Sequence, residues 1–208
     1  GSTTVICSDK TGTLTQNQMT VREVFAAGDL FAVSGVGYAP EGEFSRNGET
    51  VDVRQSPPLI ECLKAGLLCN DSALALTEEG WQAEGDPTEA ALIVSARKAG
   101  FSPETTEQEN PRLDAIPFES RHQYMATLHN VGPDGSPVAY LKGSVESILQ
   151  RCGDMFGDAD SRTALDADSV HRRVEEMASD GLRVLALARA EFPAGTTSIQ
   201  HQDVASGL

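Results

Sequence analysis

In the stretch VICSDKTGTLTQNQMTV, residues 5–21, a single carboxylate, Asp9, follows the apolar run Val5, Ile6 and Cys7 and leads into a turn of lysine, glycine and threonines. A carboxylate at the C-terminal end of a buried strand, beside a loop rich in backbone N–H groups and hydroxyls, stands where α/β proteins hold phosphoryl groups. Aspartate can attack phosphorus directly and form an aspartyl phosphate. The plainer alternative is that Asp9 caps a turn. Further along, Lys142 and Gly143 stand at a strand-to-helix turn, where a cation and a backbone without a side chain can approach an anionic ligand. Arg183 falls within an otherwise apolar run, LRVLALARAEF, which is expensive for a guanidinium unless it reaches an anion or a carboxylate. Glu89 stands three residues after Asp86, where a capping box places its acid.

The elements that must position these residues are legible from spacing. Residues 3–8 read as a short buried strand, and the Gly- and Thr-rich segment after it as a loop. From about Phe25 to Val53 the chain reads as surface β structure, with Asn47-Gly48 as a hairpin turn. Pro57 and Pro58 start a helix in which Ile60, Leu63 and Leu67 share a face, and Asn70-Asp71 ends it. A second helix is expected from Asp86 as N-cap and Pro87 at its first position, closing at Gly100. IPFESRHQYMATLHNVGPDGSPVAYLKG reads as two strands around a Gly-Pro-Asp-Gly turn, followed by a helix carrying Val145, Ile148, Leu149 and Cys152. Val170, Val174, Met177 and Ala178 form the stripe of a last helix that stops at Gly181, and LRVLALARAEF reads as a buried strand. The last dozen or so residues read as a loose tail. Strands mixed with helices without regular βαβ alternation predict an α+β fold, an antiparallel sheet flanked by helices.

Composition limits the functions open to such a fold. A formal charge of -15 repels nucleic-acid phosphates and anionic membrane surfaces, so any bound anion needs a local basic pocket. No uninterrupted apolar run approaches the ~20 residues that span a bilayer, and no signal peptide opens the chain, so the piece reads as soluble and cytosolic. The four cysteines, Cys7, Cys62, Cys69 and Cys152, form no CxxC pair and show no metal-ligand spacing with the four histidines, which predicts buried reduced thiols and no zinc site.

Residues Asp9 to Thr15, DKTGTLT, match the phosphorylation motif of the P-type ATPases without a mismatch. The resemblance extends in order through CNDS (69–72), GDPTEAAL (85–92), PFES (117–120), KGSVE (142–146) and GLRVLALA (181–188), which resemble landmarks of the nucleotide-binding domain of type II cation pumps. The pattern resembles bacterial or archaeal relatives of the calcium and sodium-potassium ATPases. The heavy-metal class differs by a smaller nucleotide domain with a His-Pro motif absent here. In the related haloacid dehalogenase-like phosphatases the residue two after the nucleophile is a second Asp serving as general acid and base. Here it is Thr11, so an aspartyl phosphate should persist rather than hydrolyse at once.

The resemblance implies residue roles. Asp9 is the phosphorylated nucleophile, with Lys10 and Thr11 beside it, and Asp9 and the backbone of Thr11 hold Mg2+ in the parent pump. Phe118 stacks on adenine, an interaction worth ~1–3 kcal/mol by analogy with base stacking on aromatics. Glu89 lies on the adenine side, Lys142 and Gly143 contact the nucleotide, and Arg183 lies near its phosphates. Many calcium-pump-like sequences carry lysine five residues after the stacking phenylalanine, where this chain has Gln123. Loss of one charge-assisted contact costs about 1.5–3 kcal/mol unless Arg121 or His122 substitutes, so modest ATP affinity is expected.

On this reading residues 1–22 are the N-terminal piece of a phosphorylation domain, with a strand and loop of the α/β haloacid dehalogenase-like type, and residues 23–208 are the nucleotide-binding domain. The partners are ATP or ADP and the rest of the phosphorylation domain, the actuator and the transmembrane domains of the same pump, on the cytoplasmic face of the membrane. A monomer without nucleic-acid partners is expected. Motifs resembling TGD and GDGxND, which supply magnesium carboxylates, are absent from these 208 residues, so nucleotide binding without turnover is expected. The alternatives are a haloacid dehalogenase-like phosphatase with a large cap and a noncatalytic regulatory domain derived from a pump.

Overall fold

The computed structural model describes residues 18–131, 136–157 and 161–208. The strand expected at 3–8, the residues Asp9, Lys10 and Thr11 expected to act in phosphoryl transfer, and the Gly-Pro-Asp-Gly turn expected at 132–135 lie outside them.

The first sheet is antiparallel, in the order β1 (Glu23–Ala26), β2 (Asp29–Val33), β3 (Phe44–Arg46) and β4 (Glu49–Thr50). Asn47 and Gly48 both take positive φ, 54° and 83°, as the tight hairpin between β3 and β4 requires. Val24, Phe31, Val33 and Phe44 bury one face of this sheet against Leu59, Leu63 and Leu67 of α1 (Pro57–Leu68) and Ile93 and Ala96 of α2 (Pro87–Lys98). A short hairpin, β5 (Ala73–Thr77) with β6 (Gly80–Glu84), joins the two helices, and α3 (Pro103–Glu109) follows.

The second sheet runs β12-β9-β8-β7, all antiparallel, from β7 (Arg112–Glu119), β8 (Tyr124–Asn130), β9 (Pro137–Gly143) and β12 (Ala186–Glu191). The span from Ile116 to Asn130, expected to be one strand, is two. The turn between them escapes a reading based on Gly and Pro because it has neither. Instead the Glu119 carbonyl accepts from the His122 and Gln123 N–H groups at 2.9 and 2.8 Å, and Gln123 itself adopts φ 57°. Its carbonyl accepts from Ser144 at 3.0 Å, which ties the turn to the start of α4 (Val145–Leu149).

Both faces of this sheet are covered. Met125, Val138 and Tyr140 pack against Ala65, Leu68 and Cys69 of the α1 end, while Tyr124, Ala126, Leu128 and Leu141 pack against Ile148, Ile199, Val204 and Leu208. The expected loose tail is therefore part of the core. Leu208 also exchanges backbone hydrogen bonds with Gly153 and Arg151, and the Ile199 N–H donates to Asp114 Oδ2 at 2.9 Å. Its three anchors lie too far apart in a polar segment to produce a period, so spacing alone left them unseen.

The hairpin of β10 (Asp154–Phe156) with β11 (Arg162–Ala164) precedes α5 (Ala167–Ser179), which Gly181 terminates at φ 79°. Of the expected stripe, Met177 is buried, Val170 and Val174 are half-buried and Ala178 is exposed. Val170, Val174 and Met177 face an apolar groove of ≈ 600 Å³ shared with Phe25, Phe156 and Leu187. The strand expected from Leu182 begins only at Ala186, so Arg183 lies in the exposed connection from α5 rather than in the sheet. The apolar run misplaces it because Leu182, Val184 and Leu185 line the groove in an extended segment that pairs with no strand.

Burial sets the ionisation of several groups in this fold. It pushes the Cys62 thiol up to about 12 and that of Cys69 up to about 11, and raises Cys152 as well, so these thiols are protonated; all three are free, Cys69 is buried as expected, and Cys62 and Cys152 are half-buried. His129 is 2% exposed, and its Nδ1 donates to the Asn110 carbonyl at 2.9 Å. Burial lowers its pKa from 6.5 to about 4, against the raising effect of that bond and with help from Arg112. The unfolded chain takes up this proton from about pH 6.5 downward and the folded domain only near pH 4. The stabilisation is therefore complete above pH 6.5 and falls by about 1.4 kcal/mol per pH unit between those values. Urea midpoints at pH 7 and pH 5 should show a loss of about 2 kcal/mol that His129→Gln removes. An equal pH dependence in the two proteins would refute it.

Candidate functional site

The centre of the site is an interlock of two loops with one strand end. Asp86 caps α2, its Oδ1 accepting from Thr88 N at 2.8 Å and Glu89 N at 3.2 Å, and Pro87 occupies the first helical position. The capping box stops there. The N–H of Asp86, which Glu89 would satisfy in that motif, donates instead to Ser72 Oγ at 2.9 Å. Glu89 turns inward: Oε2 accepts from Asp71 N at 3.1 Å and Ser72 Oγ at 2.9 Å, and Oε1 accepts from Lys142 Nζ at 2.7 Å. A buried ammonium outcompetes a backbone amide because the bond to it is charge-assisted.

Lys142 is 8% exposed, on the face of β9 that carries Val138 and Tyr140. Its Nζ also donates to the Cys69 carbonyl at 2.7 Å, so two of its three N–H groups hold the end of α1 and the start of α2 together. Asn70 completes the junction, donating to the Gly66 and Glu89 carbonyls and accepting from Ser72 N. Gly85, at φ 113°, has Ser72 Oγ 2.4 Å from where a Cβ would stand, so the CNDS and GDP segments fit only with glycine there. Arg112, which sequence reasoning did not single out, donates to the Leu68 carbonyl at 3.1 Å and Asp71 Oδ1 at 2.6 Å, and also to the Asn70 carbonyl. An arginine opening an exposed strand carries no periodic signal that could have marked it.

Phe118 is 60% exposed, the opposite of what a phenylalanine on a strand usually does. Its placement follows from a register shift. Ile116 pairs with Ala126 but Glu119 with Tyr124, so β7 carries one residue more than β8 across this step. Glu119 thereby shares the face of Tyr124, and alternation puts Phe118 on the other face, that of Met125 and Lys142.

Gly143 pairs with Tyr124 and Ala186, and a Cβ on it would stand 2.4 Å from the Gln123 carbonyl oxygen and 2.7 Å from Tyr124 Cβ. Strand packing alone requires a glycine there. Gln123 Oε1 accepts from Ser144 Oγ at 3.2 Å, while Arg121, one candidate replacement for the missing lysine, is held by Glu119 at 2.6 Å. Arg183 lies close enough to Asp86 to act on its carboxyl. Burial would raise that group, but the hydrogen bonds from Glu89 and Thr88 and the Arg183 charge overcome it and hold it below the usual carboxylate range. The structure thus brings Glu89 and Lys142 into contact, sets Phe118 on the face of Lys142 and puts Arg183 by the α2 N-terminus.

Residues 58–207 match the family model described as P-type ATPase, cytoplasmic domain N. The chain belongs to the P-type ATPase family. It is 51% identical to the cation-transporting ATPase pma1 of Synechocystis over 213 aligned residues, covering 100% of this chain and 23% of that protein. It is 35% identical to a calcium-transporting ATPase of Bacillus subtilis, covering 97% of this chain and 23% of the relative. The human calcium-transporting ATPase type 2C member 1 is 36% identical, over 90% of this chain and 20% of its own length. The chain therefore spans less than a quarter of these relatives. The antiparallel sheets with flanking helices are consistent with the N domain of P-type ATPases, and among the described residues no helix is long and apolar enough to cross a membrane.

Proposed function

We propose that this chain is the ATP-binding part of a cation-transporting P-type ATPase. The observation that carries the reading is an unburied phenylalanine turned by a bulge onto the face where the nearly buried Glu89–Lys142 pair joins two family motifs. Phe118 then stacks on adenine, Glu89 and the third N–H of Lys142 address the nucleotide beside it, Gly143 keeps the strand end low, and Arg183 serves the phosphates. Residues 23–208 form the nucleotide-binding domain and residues 1–22 begin the phosphorylation domain. In the whole pump Asp9 accepts the γ-phosphoryl group of ATP beside Lys10 and Thr11. Asp9 and the Thr11 backbone would hold Mg2+, which would supply positive charge to offset that of the transferred group. The 208-residue chain binds nucleotide as a monomer without turning it over. The phosphorylation, actuator and membrane domains of the same pump are its partners, on the cytoplasmic side of the membrane.

Calorimetric titration with ADP and ATP tests this. Phe118→Ala should weaken binding about 5- to 150-fold, the equivalent of ~1–3 kcal/mol of stacking, and leave the melting temperature unchanged because the ring is exposed. Equal affinity in the variant and the parent protein would sink the assignment of Phe118, and saturable binding by neither would sink the nucleotide site.

A further inference from the structure

On the face of the second sheet away from Lys142, two imidazoles and a carboxylate converge. Glu119 ends β7, His122 lies in the turn that follows, and His201 arrives from the C-terminal segment, whose path is fixed by the buried Ile199 and Val204. The His122 and His201 rings lie 4.2 Å apart at 33°. The ligand atoms of all three residues lie within 4.8 Å of one another, and all three side chains are half-buried.

The surroundings resemble those of a metal-binding histidine. His201 Nδ1 is hydrogen-bonded to the Tyr124 hydroxyl at 2.6 Å, which fixes the ring and leaves Nε2 for a metal, as second-shell partners do. Tyr124 is itself packed in the core, 1% exposed with the Arg151 guanidinium 4.5 Å from its ring centroid. Arg121 occupies Glu119 Oε2 and leaves Oε1. The gap of 3.9 Å between His122 Nε2 and Glu119 Oε2 is too long for a hydrogen bond.

We propose that Glu119, His122 and His201 form a binding site for a zinc-type divalent cation, two imidazole nitrogens and one carboxylate oxygen leaving a fourth position for water. Ligand distances of ~2.0–2.2 Å require the three atoms to draw together by side-chain rotation, which their partial exposure allows. Two imidazoles select zinc, cobalt or nickel over Mg2+ and Ca2+, which prefer all-oxygen sites. Bound metal would pin the C-terminal segment to the β7–β8 turn.

The test uses the tag-free 208-residue protein, titrated with Zn2+ in the calorimeter and with Co2+ by visible absorption, in the presence of excess Mg2+. One zinc per chain is expected, with a cobalt spectrum free of thiolate bands and a melting temperature raised by Zn2+. His201→Ala and His122→Asn should each weaken binding at least about tenfold and abolish the zinc-induced rise in melting temperature. His122 lies in a surface turn, so its variant stays informative if His201→Ala folds poorly. Thiolate bands, absence of binding, or equal affinity in the parent protein and His122→Asn would each overturn the site.

Discussion

Lys142→Ala should lower the stability of the domain by about 3–5 kcal/mol, well beyond its effect as a lost nucleotide contact. The side chains of Lys142 and Glu89 are 9% and 14% exposed, and the ammonium serves Glu89 Oε1 and the Cys69 carbonyl at 2.7 Å each. Truncation leaves a nearly buried carboxylate without its counter-charge and a buried carbonyl without its donor. Against a typical domain stability of about 5–15 kcal/mol this is a large fraction. The consequence concerns function: weak ATP binding by Lys142→Ala alone cannot distinguish a lost contact from a loosened site. The double variant Lys142→Met with Glu89→Gln makes the distinction, because it removes both charges and leaves no unpaired ion. It should recover most of the urea midpoint while remaining weak for nucleotide. A Lys142→Ala protein within about 0.5 kcal/mol of the parent would show that the pair is not buried in solution as it is here.

Deletion of residues 199–208 should leave the domain unfolded or nearly so. Ile199, Val204 and Leu208 are 5%, 0% and 6% exposed, in one cluster with Ile116, Tyr124, Leu128 and Leu141. Burial of each side chain is worth about 1.5–3 kcal/mol, so three together reach about 5–9 kcal/mol, comparable with the whole stability of a domain. The backbone bonds of Leu208 with Gly153 and Arg151 are lost as well. Circular dichroism and urea titration of the shortened chain read this directly. A cooperative transition with an unchanged midpoint would show that the segment is a tail after all. Val204→Asp gives the same result by a single substitution, since it places a charge where the side chain is 0% exposed.

Much of this protein is written locally. Asp86-Pro87 as a helix start, Asn47-Gly48 as a hairpin and the Leu63–Leu67 stripe were each legible because cap chemistry, positive φ and helical period act over a few residues. The ordered motifs DKTGTLT, GDPTEAAL and KGSVE resemble P-type ATPases by residue type and order alone, and family membership bears that out. What the sequence could not express were the meetings of distant segments. Glu89 had a complete local explanation as a capping-box acid, and only the arrival of Lys142 from β9 draws it away. Arg183 looked like a strand residue until strand pairing began at Ala186. Phe118 is exposed by a one-residue bulge that no local pattern announces, and His201 gains its neighbours only because Ile199 and Val204 anchor its segment on the sheet. Helix starts and turns are short-range and were determined by residue type. The ion pair, the exposed ring and the histidine cluster depend on which strand lies beside which, and that register is decided by the packing of the whole core.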